Sequence, residues 1–152
     1  MAIRNTAKQR WKEVFIEVLK KHHKRNIEKK AAKLLTKADN VKRSMVTRSK
    51  KYDVDCDITL DEIRQMFVDS YGTNCHYTGR LLTIENMVFD HVIPVSKGGP
   101  STRDNIQVIS RFANSMKGSL SEEHFRILLE WLQMAPEELR KDVSIRLAHG
   151  IR

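Results

Sequence analysis

Residues 89 to 118 read FDHVIPVSKGGPSTRDNIQVISRFANSMKG, and they set Asp90 and His91 side by side between Phe89 and the apolar pair Val92 and Ile93. A charged and a titratable side chain in such a run are costly unless something partners them. Their types suit hydrolysis of a phosphodiester, which needs a base for water, a cation for the phosphoryl charge and a frame for both. His91 is the candidate base, because an imidazole titrates near neutral pH. Asp90 offers a hard oxygen to a divalent ion. Neighbouring side chains on a strand point to opposite faces, so one can serve the metal and the other the water. Asn114 sits on a helical segment after the next strand, where its amide oxygen can complete a metal site.

These residues need elements to place them. The loop VSKGGPSTRDN is rich in turn formers, IQVIS alternates as a short strand, and RFANSMKG reads as one helical segment ending at Gly118. CHYTGR reads as a turn, and LLTIENMVFDHVIP as strand material interrupted near Glu85 and Asn86. The order is therefore strand, long loop, strand, short helix. Before it, Thr59 and Glu62 form a capping box for a helix that faces Ile63, Met66 and Phe67 inward and stops at Gly72. After it, Ser121 with Glu122 and Glu123 starts a helix packing Phe125, Leu128, Leu129 and Leu132. Pro136 starts the last helix, which Gly150 ends, and both are expected to complete the core.

At the N-terminus Trp11, Phe15, Val18 and Leu19, then Ile27, Ala31, Leu34, Leu35 and Ala38, recur at helical spacing. One long helix or two abutting ones are expected from about Thr6 to Asp39. The basic run from Asn40 to Tyr52 reads as a hinge or a DNA-contacting loop. Residues 1–51 hold 17 Lys and Arg against 4 acids, a net of +13, whereas residues 52–152 carry −4. So dense a field of one sign repels itself unless a polyanion meets it, which points to nucleic acid. A basic helical DNA-binding arm over 1–51 and a second unit over 52–152 are the expected organisation. No apolar run has the length of a membrane helix, the charged first residues do not read as a signal peptide, and two cysteines make no disulfide framework. A cytoplasmic protein is expected.

The 75–118 segment resembles the HNH nucleases, the ββα-metal family. The resemblance rests on Asp90-His91, Asn105 and Asn114, with Lys117-Gly118 behind, and on the Ile93-Pro94 step, the Lys97-Gly98-Gly99 loop and the run Asp104-Asn105-Ile106. It extends weakly through TLDEIRQMF. It implies an α+β, mostly helical fold, with a ββα finger braced by N- and C-terminal helices. It further implies a metal-dependent DNA endonuclease with a one-metal mechanism. His91 is then the general base, Asp90 and Asn114 bind the metal, and Asn105 ties the loop and orients the histidine.

The final motif position is Asn114 where many members have histidine, a His-Asn-Asn variant. An amide oxygen favours Mg²⁺ or Mn²⁺ over Zn²⁺. The family's four structural zinc cysteines correspond here to Cys75, Thr78, Ser110 and Ala113, so no structural zinc is expected. Expected phosphate contacts are Lys97, Arg111, Lys117 and Arg80 in the nuclease unit, with Lys20, Lys21, Lys24, Arg25, Lys42 and Arg43 in the arm. The expected partner is double-stranded DNA, and a homodimer or a larger phage nuclease assembly is compatible with one site per chain. The family's compact members include phage-encoded ones, which would act in the host cytoplasm. The rival readings are a non-catalytic DNA-binding protein on the same scaffold and a nuclease toxin.

Overall fold

The computed structural model describes residues 2–148. The expected helix stop at Gly150 lies outside the described residues. The chain is mostly helical with one two-stranded antiparallel sheet. Helix α1 spans Ala2–Lys20 and buries Trp11, Phe15 and Leu19, spaced by four residues on one stripe. Asn26 in the left-handed region (φ 58°) then turns the chain into α2, Ile27–Tyr52.

The run from Asn40 to Tyr52 is therefore helix, contrary to the loop expected from its polarity. It holds no glycine or proline, and Met45 and Ser49 carry the buried stripe of Ala31, Leu34, Leu35 and Ala38 onward. Polarity misled here because a helix needs only one apolar stripe. Asp53, also left-handed (φ 52°), ends the helix by donating its N–H to Ser49.

Helix α3, Leu60–Ser70, starts at the expected capping box: Thr59 accepts from the Glu62 N–H while the Glu62 carboxylate accepts from the Thr59 N–H. Ile63, Met66 and Phe67 are buried, and Gly72 (φ 77°) follows its end. Strand β1, Met87–His91, pairs with β2, Ile106–Ser110, in a register that sets Asp90 opposite Gln107 and His91 opposite Ile106. Helix α4, Arg111–Lys117, follows β2 directly, with Ser110 as N-cap and Gly118 as its stop. The expected strand–loop–strand–helix order stands.

One core joins these parts. Phe15, Leu34, Ile63, Phe67, Met87, Ile109 and Phe125 belong to the same buried cluster, so α1 and α2 pack into the body that carries the sheet. Helices α5, Glu122–Met134, and α6, Glu137–Ala148, were expected to complete this core, and they do so only in part. Phe125 is fully buried, but Ile127, Trp131 and Met134 on α5 and Leu139 and Ile145 on α6 are exposed, Trp131 by 70%. Among the described residues, no helix is long and apolar enough to cross a membrane.

Candidate active site

Asp90 and His91 end β1, and both are buried, at 8% and 3% exposure. Together with Asn114 of α4 they line one cleft of about 320 Å³, whose other walls include Arg48 and Tyr52 of α2 and the turn Pro94–Ser96. The hairpin and α4 thus bring the expected base and the two expected metal ligands to one opening.

His91 is held from behind. Its Nε2 lies 2.8 Å from Ser101 Oγ, which lies 2.8 Å from Ser49 Oγ on α2. Ser101 is fully buried and is itself pinned by its backbone, accepting from the Ile58 N–H and donating to the Asp55 carbonyl. With Nε2 committed to Ser101, Nδ1 is left without a partner among the described residues. Burial, and next the Arg48 guanidinium, pull the imidazole down to about 4; the Asp90 carboxylate opposes this and the Lys117 ammonium adds to it. The ring is neutral at pH 7, and when Ser101 Oγ accepts from Nε2–H the lone pair of Nδ1 is free.

Asp90 is fixed through one oxygen. Its Oδ2 takes Lys117 Nζ at 2.9 Å and Gln107 Nε2 at 3.0 Å, while Oδ1 has no partner among the described residues. Gln107 Nε2 also lies 3.0 Å from the Tyr77 hydroxyl, which in turn donates to Glu122 at the start of α5. Burial, first, and the Glu122 contact hold the Tyr77 hydroxyl well above its usual range, so it stays a donor. A polar chain therefore runs from the site to α5.

Asn105 clamps the loop between the strands. Its Oδ1 accepts from the Ile93 N–H at 2.8 Å, and its Nδ2 donates to Ile93 O at 3.1 Å and Pro100 O at 2.8 Å. None of these bonds reaches His91; the direct contact with the ring is made by Ser101, next to the clamped Pro100. Gly99 is required by the same clamp, because a Cβ there would meet Ile93 O at 1.9 Å.

The expected phosphate contacts scatter. Lys117, expected to contact phosphate, is buried at 1% exposure, with its ammonium on Asp90 and on the His91 carbonyl at 2.8 Å. Its neighbour Gly118 is exposed, so nothing in the local sequence marks the burial. Lys42 is likewise engaged, donating to the Ile58 carbonyl at 2.6 Å. Arg80 stacks over Phe112 at 3.9 Å, in the cavity walled by α5 and α6. Lys97 is exposed on the loop, Arg111 at the start of α4, and Arg43 on α2, where it holds Asn40. Lys20, Lys21, Lys24 and Arg25 are exposed around the α1–α2 turn. At 1.5 Å per residue, 22 residues of α2 put that turn about 33 Å from Arg48.

Sequence reasoning missed Arg48, Ser101 and Gln107. Arg48 had a usable signal: three positions after Met45 and one before Ser49, it continues the period of α2. Ser101 had none, because a serine in a turn-rich loop reads as a turn former.

The four positions corresponding to zinc cysteines do meet. Ser110 N–H donates to Cys75 Sγ at 3.4 Å, Thr78 Oγ1 lies 3.3 Å from Ser110 Oγ, and that oxygen accepts from the Ala113 N–H at 3.2 Å. A hydrogen-bonded knot ties the turn before β1 to the β2–α4 junction. Among the described residues no three His, Cys, Asp or Glu gather in a metal-binding group.

A two-stranded hairpin followed by a helix, with an Asp-His pair at the end of the first strand, defines a ββα-type finger. The family model for HNH endonuclease matches residues 73–119, and this match supports a nuclease-type function in general. No curated protein matches the chain.

Proposed function

We propose that the protein is a divalent-metal-dependent endonuclease that hydrolyses phosphodiester bonds of double-stranded DNA, with His91 as general base and a single metal ion. One observation carries this reading: Asp90, His91, Asn114 and Arg48 line one cleft, and among the described residues Asp90 Oδ1, His91 Nδ1 and the Asn114 side chain have no hydrogen-bond partner. The donor set fits a hard cation. One carboxylate oxygen and one amide oxygen are what Mg²⁺ or Mn²⁺ takes from protein when waters and a substrate phosphate fill its other positions. When bound, the ion would supply Lewis-acid polarisation of the phosphoryl oxygens and stabilise the leaving oxygen.

The rest is done by the chain. His91 Nδ1 accepts a proton from water as that water's oxygen forms a bond to phosphorus. The bond from phosphorus to the departing sugar oxygen breaks, and that oxygen leaves with the electron pair and takes a proton from solvent. Ser101 keeps the ring in the tautomer that leaves Nδ1 free by accepting from Nε2–H. The Asp90 carboxylate beside the ring favours the imidazolium that forms. Arg48, exposed and without an ion pair among the described residues, sits where it can neutralise the charge gathering on the phosphoryl oxygens.

The basic character of residues 1–51 supports DNA as the substrate. Calorimetric titration with Mn²⁺ tests the metal reading: one ion bound per wild-type chain, and none by Asp90→Ala. Two ions per chain, or binding untouched by Asp90→Ala, would sink it.

A further inference from the structure

A second basic opening lies on the same helix, away from the chemistry. It is a groove of about 670 Å³ walled by Lys29, Lys33, Lys37 and Asn40 of α2, by Glu85 in the turn before β1, and by Arg111 at the start of α4. Lys29, Lys33 and Lys37 are four residues apart and share one face of α2. Four cations meet there with the single carboxylate of Glu85, which lies 3.7 Å from Lys33 Nζ and whose backbone carbonyl takes Arg111 Nη2 at 3.5 Å. Lys37 is half-buried and donates to the Ile84 carbonyl at 2.6 Å. Burial, then Arg111 and Lys33, hold its ammonium down to about 8, with Glu85 opposing. A fold gains nothing from crowding like charges around a half-buried lysine. An anion in the groove would relieve the crowding.

The groove and the cleft share their walls. Lys37 and Arg48 are eleven residues apart, three turns, so they lie on one face of α2 about 16 Å apart. On the other wall, Arg111 opens the helix that brings Asn114 to the cleft three residues on. A backbone lying along the seam between α2 and α4 passes both.

We propose that the groove of Lys33, Lys37 and Arg111 is a second phosphate-binding site, which grips the substrate's backbone several nucleotides from the bond being cut. The site rests on the nucleic-acid reading above, and it makes α2 a track rather than a detached arm. Its far end continues toward the cations of the α1–α2 turn.

The test measures binding of a fluorescein-labelled DNA duplex by anisotropy, with EDTA present, across a series of salt concentrations. The variant Lys33→Gln/Arg111→Gln removes two exposed cations of the groove. The control Arg140→Gln/Lys141→Gln removes the same charge from α6. Each lost phosphate contact flattens the slope of log K against log salt by about 0.9, so the groove variant should lose about two units and the control none. An unchanged slope in the groove variant, or an equal loss in the control, overturns the proposal. No cleavage step enters the measurement. Slope loss in a protein that cuts nothing would sink the nuclease reading alone, and normal cleavage with an unchanged slope would sink the groove alone.

Discussion

Lys117 Nζ lies 2.9 Å from Asp90 Oδ2, and the lysine side chain is fully buried. The second bond of that ammonium, to the His91 carbonyl, ties the end of α4 to the end of β1. Lys117 is thus a strut that holds the carboxylate proposed to bind the metal by one oxygen and leaves the other without a partner among the described residues. Removing one partner of a buried ion pair strands the other charge, at a cost of about 3–5 kcal/mol. Lys117→Met should therefore lose stability of that order in urea denaturation with EDTA. The stranded carboxylate should then gain more from Mn²⁺ than wild type does, read as a larger rise in melting temperature. A loss under about 1 kcal/mol, or no extra gain from the ion, would show that the pair is incidental.

In the proposed mechanism Ser101 positions the base through its 2.8 Å contact with His91 Nε2. Ser101→Ala removes the hydrogen-bond partner of His91 Nε2 and leaves the ring free to choose its tautomer. We expect the single-turnover cleavage rate to fall about 10- to 100-fold, a sizeable part of what a general base contributes, with DNA affinity unchanged. Ser49→Ala, one bond further away, should lose much less. Equal losses from the two, or a loss in affinity rather than rate, would contradict a positioning role.

The clamp makes an unusual prediction about conservative changes. Asn105 both accepts from the Ile93 N–H and donates to two carbonyls. Asn105→Asp keeps the acceptor but turns a carboxylate oxygen toward those carbonyls. It should destabilise at least as much as Asn105→Ala, on the order of 2–4 kcal/mol from three bonds at about 1 kcal/mol each. Gly99→Ala should disrupt the same clamp by steric collision. Thermal melts of the three variants check this; a wild-type-like Asn105→Asp would refute the donor role.

The buried imidazole gives the metal-free protein a pH signature. His91 is held at about 4 when folded against 6.5 in an ordinary setting. Above pH 6.5 it is neutral in both states, and its neutrality costs nothing. As the pH falls from 6.5 toward 4, the unfolded chain takes up a proton that the fold excludes, so stability declines, by about 3 kcal/mol in total. Below 4 this contribution is fully lost and flat. His91→Gln should remove that part of the pH dependence in urea titrations with EDTA; the same slope in both proteins would contradict it.

Much of this was legible in the residues. The capping box at Thr59, both strands of the finger, α4 and its stop at Gly118 all follow from local patterns, because turn formers and alternation decide short elements. The convergence of Asp90, His91 and Asn114 followed from strand–loop–strand–helix order. What stayed hidden depends on packing. The run from Asn40 to Tyr52 looks like a loop because its helix buries only a narrow stripe. Lys117 looks like a surface lysine because its partner lies 27 residues away in sequence. Deleting residues 1–51, which an arm would tolerate, would remove Phe15, Leu34 and Ser49 from the core, so charge substitutions on α2 are the better probe of DNA binding.

The central claim is that His91 takes the proton from the attacking water. Supercoiled plasmid incubated with Mg²⁺ or Mn²⁺ tests it directly, comparing wild type with a folded His91→Ala. The account predicts cleavage by wild type and a rate lower by about 10²–10⁴ in the variant, the range a general base supplies. A plasmid left intact by wild type with either ion, or cut equally well by His91→Ala, would contradict it.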